Sequence, residues 1–144
     1  FYLTEYIVYR DEDGFYHKQR IVVIDGEPLL RHSMFLDDWI VHGSSRAFMM
    51  QHQSWEDDIE RFERLSQEVL PPLRPAIGEI ADRLKLEYIG IDCSLRPDGT
   101  MLVFEANANM NVLPSPNPAL RYRVEAIEKR LHALLTKYSG ERVI

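Results

Sequence analysis

Asp92, Glu105 and Asn107 are the residues whose types and spacing best suit chemistry. They lie in IGIDCSLRPDGTMLVFEANANM at 89–110, where Asp98-Gly99 marks a two-residue turn between strands expected over 87–96 and 100–108. With that turn Ile91 faces Ala106, Cys93 faces Phe104 and Asp92 lies directly opposite Glu105, with Asn107 on the Glu105 face. The other face carries Ile89, Ile91, Cys93 and Leu95 against Leu102, Phe104 and Ala106, an apolar surface that a one-residue slip would spoil. Two opposed carboxylates repel, by roughly 3 kcal/mol at ~5 Å and an effective dielectric near ~20. A divalent cation would offset that charge, and oxygen-only ligands suit magnesium better than zinc, with water and substrate phosphate completing the shell. The residues alone leave a second option open, a solvated edge where a nearby Arg or Lys neutralises the pair.

A second hairpin, turning at Asp25-Gly26, pairs Arg20 with Arg31 and sets Lys18 on the same face opposite Ser33. Like charges opposed across strands cost stability unless an anion sits between them, and the Arg fork suits phosphate or carboxylate oxygens. An outward basic face on an acidic protein is the plainer alternative. Cys93, on the apolar face with no paired His, reads as a buried structural thiol. Of the five histidines only His42, in the irregular stretch after Asp37, Asp38 and Trp39, is kept as a substrate contact against the plainer option of a surface loop.

These hairpins need elements to position them. The 144 residues, 45% hydrophobic and 28% charged, suit one soluble globular domain, and no apolar run is long enough for a membrane span. A formal charge of −6 gives no overall footprint for nucleic acid, and a single cysteine fits a reducing compartment, so the cytoplasm is expected. The opening FYLTEYIVYR, without initiator Met or targeting pattern, reads as a strand cut from a longer polypeptide. Strands are expected over 1–10 and 15–24 and an extended run after the 25–28 turn, together a β-meander; 37–53 reads as loop with a helical turn at 45–50. Ser54 and Asp57 form a capping box opening a helix with Ile59, Phe62, Leu65 and Val69 on one face, supported by Asp57–Arg61 and Glu60–Arg64 pairs. Pro71-Pro72 separates it from a second helix bearing Leu73, Ile77, Ile80, Ala81 and Leu84, making a helical hairpin. A final amphipathic helix spans 118–138 through Leu120, Val124, Ile127, Leu131 and Leu135. The order is strands, helices, strands, helix: an α+β domain with an antiparallel sheet covered by helices.

The 89–110 segment resembles the metal-binding hairpin of the ATP-grasp superfamily, whose pattern is G-x-D, a turn, then an apolar strand ending E-x-N. The resemblance implies that Asp92 holds one magnesium, that Glu105 bridges two and that Asn107 completes the second. It extends backward: TEYI at 4–7 is similar to the hinge whose main chain reads adenine, and HKQRIVVIDGEPL to the following strand pair. Glu5 and Ile7 would then meet adenine through backbone groups with Tyr6 nearby, Lys18 would assist at the phosphates, and Arg20 and Arg31 would serve the phosphoryl group and the acyl-phosphate oxyanion. The implied parent is an ATP- and magnesium-dependent carboxylate–amine ligase taking a small-molecule or peptide carboxylate and an amine acceptor. This chain would be its C-terminal part, inactive without the N-terminal lobe. A non-catalytic nucleotide-binding module and a protein-interaction domain are the rivals. Gly90 stands where some members carry an Arg, and Ala108-Asn109-Met110-Asn111 replaces the Gly-containing loop of D-alanine ligases, which makes that activity unlike this chain's.

Overall fold

Asp25 (φ 51°) and Gly26 (φ 77°) both take left-handed backbone angles, the mirror-image turn whose twist matches two antiparallel strands. It joins β1 (Tyr16–Ile24) to β2 (Glu27–Leu36) in a computed structural model that describes residues 5–42, 45–96, 98–112 and 118–140. β3 (Tyr88–Leu95) pairs antiparallel with the other side of β1, and β4 (Met101–Asn107) pairs antiparallel with β3. The result is a four-stranded antiparallel sheet in the order β2-β1-β3-β4.

The expected strand over 1–10 is not formed in its described part. Within 5–10 only Arg10 bridges Tyr16, and the place beside β1 belongs to β3, so the meander reduces to one hairpin. The segment is tied by side chains instead: Tyr9 donates its hydroxyl to the Trp39 carbonyl, and Arg10 Nη2 donates to the Asp37 carbonyl at 3.3 Å. Its aromatic and β-branched composition suits a strand, but composition does not supply an edge to pair with.

Among the described residues four α-helices follow the α+β order. α1 (Ser45–His52) extends the expected turn to a full helix. α2 (Trp55–Arg64) starts at the expected capping box: Ser54 Oγ accepts from the Asp57 N–H, and the Asp57 carboxylate accepts from the Ser54 N–H. Arg61 lies over the Phe35 ring, 4.6 Å from its centroid, instead of pairing with Asp57. The chain continues through a π-helical turn at Leu65–Val69 and a 3-10 turn at Pro71–Leu73 into α3 (Arg74–Leu84), which stops where Lys85 turns left-handed (φ 54°). α4 (Tyr122–Gly140) buries Val124, Ile127 and Leu134, so the stripe runs through Leu134 while Leu135 is exposed.

Strand alternation divides the packing. Ile21 and Val23 face one side with Phe62, Leu65, Leu73 and Ile77 of the α2–α3 stretch, while Val22 and Ile24 face Ile127 and Leu134 of α4 on the other. Burying a Val, Leu, Ile or Phe side chain contributes ~1.5–3 kcal/mol each, which makes these clusters the main support of the sheet. Across the β2 edge, a buried ion pair ties α2 to α4: Arg123 Nη1 meets Asp58 Oδ2 at 2.9 Å with its guanidinium 4.0 Å from the Phe62 centroid. Cys93 is fully buried, and burial pushes its thiol up to about 12, as expected of a structural cysteine. No helix among the described residues is long and apolar enough to cross a membrane.

Candidate functional site

Asp92 stands opposite Glu105 on β4 and opposite Arg20 on β1, so the central strand carries it between an acid and a base. The Glu105 pairing is the one expected, reached by two offsets that cancel. Arg96 N–H donates to the Thr100 carbonyl and Gly99 N–H to the Arg96 carbonyl, a loop wider than a two-residue turn, which shifts the pairing by one. A bulge then inserts Phe104 and shifts it back, so Cys93 faces Val103 rather than Phe104. Phe104 leaves the expected core face: it is 40% exposed, with its ring centroid 4.9 Å from that of Tyr9.

The Asp92 carboxylate is buried, at 3% exposure, and fully engaged. Arg20 grips it with both prongs, Nε to Oδ1 at 2.7 Å and Nη2 to Oδ2 at 2.9 Å, while Lys18 Nζ reaches Oδ2 at 2.9 Å. Burial favours the protonated acid, but the hydrogen bonds and charges of Arg20 and Lys18 outweigh it and hold the carboxyl below its ordinary range. The same bond raises Arg20 above its usual value. The structure therefore contains the alternative of neutralising bases. Glu105 is exposed and accepts a short bond from Asn107 Nδ2, while Asn107 Oδ1 accepts from the Asn109 N–H at 2.9 Å in a local turn.

Gly90 explains how that turn is fixed. A Cβ at Gly90 would fall 1.6 Å from Met110 Cγ and 2.3 Å from Met110 Cβ, so the Met110 side chain occupies the space a larger residue would need. Tyr88 donates its hydroxyl to the Met110 carbonyl at 2.6 Å. The chain beyond β4 is thereby pinned across β3 just after Asn107.

The basic hairpin departs from expectation. Its register runs Val22↔Leu29 and Ile21↔Leu30, then a bulge at Arg31 sets Arg20 opposite His32 and Lys18 opposite Met34, not opposite Arg31 and Ser33. A bulge answers local strand twist and the packing around it, which the turn residues do not encode. Arg31 is buried, and its guanidinium lies below its ordinary value through burial and the charges of Arg46, Arg20 and Arg123. It remains within electrostatic reach of Arg20 without sharing the Asp92 pair. His32, burdened by burial and by Arg20 and Arg31, is pushed down to about 3 and stays neutral.

A cleft of about 600 Å³ unites most of the expected residues. Glu5, Tyr6 and Ile7 line it together with Lys18, Asp92 and Glu105. Sequence reasoning missed the rest of the wall, which includes Tyr9, Trp39, Ile40, Leu102, Val103 and Phe104. Tyr6 packs edge-on to Trp39 at 5.8 Å between centroids, and Tyr9 packs against Tyr16 and Phe104. Burial lifts the Tyr9 hydroxyl to about 12. Val41 rather than His42 faces the cleft, and His42 is exposed with its N–H donated to Ser45 Oγ. An unexplained Trp in an irregular stretch beside acidic residues was the available signal for Trp39. The cleft thus has an aromatic, half-open body and a charged end. Comparison of the chain with protein-family models, characterised proteins and solved structures finds no match.

Proposed function

We propose that this chain forms the nucleotide- and magnesium-holding part of an ATP-dependent carboxylate–amine ligase of ATP-grasp type. The observation that carries the proposal is the shared cleft. The 5–7 segment, four aromatic rings and the Lys18–Asp92–Glu105 group meet in one space large enough for a drug-sized ligand. Aromatic faces accept the flat apolar surface of a purine. The main chain of Glu5–Ile7 belongs to no strand and so is available to a base edge. At the charged end Lys18 meets phosphate oxygens and Glu105 offers an oxygen ligand, with Asn107 bonded to Glu105 but outside the cleft lining.

The donor set fits magnesium, since Asp92, Glu105 and Asn107 supply only oxygens on one face of the hairpin. Asp92 would join them when Lys18 releases its bond, one of the two that Oδ2 accepts, while Arg20 keeps the carboxylate oriented through Nε and Nη2. Magnesium bound there would neutralise the charge of a transferring phosphoryl group. Arg20 and Arg31 contribute positive charge beside that reaction centre, where a carboxylate is activated as an acyl phosphate and an amine displaces phosphate. No side chain of the cleft is required as a covalent nucleophile. A second proposal, a nucleotide-binding module without turnover, draws on the complete engagement of Asp92 by two bases.

Turnover separates the two. With magnesium and ATP, the ligase proposal predicts ADP release that requires both a carboxylic acid and an amine, scored across a panel of each. Saturable nucleotide binding with no acid- and amine-dependent ADP from the intact protein would leave the module. No nucleotide binding would remove both.

A further inference from the structure

On the opposite face of the sheet from Asp92 lies a second cleft, of about 390 Å³. It belongs to that face because His17 and Gln19, which line it, alternate along β1 with Lys18 and Arg20. One wall is the acidic turn before β1, with Asp11 and Asp13. The other is basic, with Arg61 and Arg64 of α2 and Arg96 just beyond β3. Leu65, Val69 and Leu95 give it an apolar floor.

Two features make this more than a mixed surface. First, its two walls form no direct ion pair with each other, although the Asp13 charge acts on Arg61 at longer range. Among the described residues Arg61, Arg64 and Arg96 make no ion pair, and Asp13 is engaged only by His17 Nε2 at 2.8 Å and by the Phe15 N–H. Arg61 is held by stacking on Phe35, which fixes its planar fork without consuming its charge, and burial holds it below its ordinary value. Secondly, the floor is built on the π-helical turn Leu65–Val69, closed by the Leu70 N–H donating to the Leu65 carbonyl at 2.8 Å. Such turns are rare and gather at functional sites.

Opposite charges that line an apolar floor without pairing directly match a ligand that carries both charges and an apolar body. We propose that this cleft binds a zwitterionic amino acid or short peptide with an apolar side chain, its carboxylate toward Arg61 and Arg64 and its ammonium toward Asp11 and Asp13. The site is independent of the nucleotide cleft, from which the sheet separates it.

The test is a two-dimensional amide NMR titration with L-leucine and with L-leucyl-L-leucine. Saturable shifts are expected at 11–17 and 61–69, with 101–107 unmoved. The tighter of the two probes identifies the source as free amino acid or peptide. N-acetyl-L-leucine and L-leucinamide, each lacking one charge, should bind about tenfold more weakly, the worth of one lost charge-assisted bond. Asp13→Asn and Arg64→Gln change exposed residues, so the fold should persist while affinity for both probes drops similarly. Absence of saturable shifts for either probe overturns the proposal, as do equal affinities for the charge-deleted controls or shifts confined to β4.

Discussion

Replacing Asp92 by Asn removes the charge that two bases surround. The carboxylate is 3% exposed and contacts Arg20 at 2.7 and 2.9 Å and Lys18 at 2.9 Å. Breaking one partner of a fully buried pair costs ~3–5 kcal/mol, because the surviving charge is stranded. Here the survivors are the side chains of Lys18 and Arg20, 17% and 22% exposed at an open cleft, so they recover part of their hydration. Asn also keeps one acceptor for Arg20. The expected loss is therefore ~2–3 kcal/mol at neutral pH, or about 6–10 °C in Tm for a domain of this size. The pH dependence is more diagnostic. Because Arg20 and Lys18 hold the folded Asp92 pKa below its unfolded value near ~3.9, its contribution is complete above that value and is lost as pH falls through the folded pKa. Thermal denaturation of wild type and Asp92→Asn from pH 7 to pH 2.5 should show a gap that is constant down to about pH 4.5 and narrows below it. A gap of the same size at every pH, or a variant as stable as wild type at pH 7, would refute the electrostatic argument.

Arg20→Lys keeps charge but cannot grip both Asp92 oxygens, so kinetics of the intact protein should show turnover falling much more than ATP affinity. Gly90→Ala should destabilise by about 1–3 kcal/mol in chemical denaturation, since the methyl group meets Met110 Cβ, which cannot swing away. The loss of the pinned turn after Asn107 should also weaken magnesium-dependent nucleotide binding measured on the same sample. Asp58→Asn should cost about 3 kcal/mol in urea titration by stranding the buried Arg123, with no effect on nucleotide affinity.

Much of the site was legible because it sits where local signals agree. An Asp-Gly turn and strict apolar alternation placed Asp92 opposite Glu105, and that pairing is present. The route to it was not legible, because a wider loop and a bulge at Phe104 compensate each other and both depend on strand twist. Where no second offset compensates, the expectation fails, and Arg20 faces His32 instead of Arg31. The capping box at Ser54 and Asp57 is decided within four residues and was readable. The Asp58–Arg123 pair joins residues far apart in sequence, and neither carries a local mark. Segment 5–10 misled because strand-like composition says nothing of a free edge, whereas its role as a cleft wall depends on Trp39 and Phe104 arriving from elsewhere.

Titration calorimetry of ATP into the intact protein, with and without magnesium, for wild type and Glu105→Gln, bears most directly on the proposed nucleotide and metal site. Glu105 is exposed, and Gln keeps the side-chain carbonyl that accepts from Asn107 Nδ2, so the substitution leaves the fold standing. The account predicts that magnesium strengthens ATP binding to wild type and that Glu105→Gln abolishes this gain. Equal magnesium-ATP affinity in the two proteins, or binding indifferent to magnesium in wild type, would contradict it.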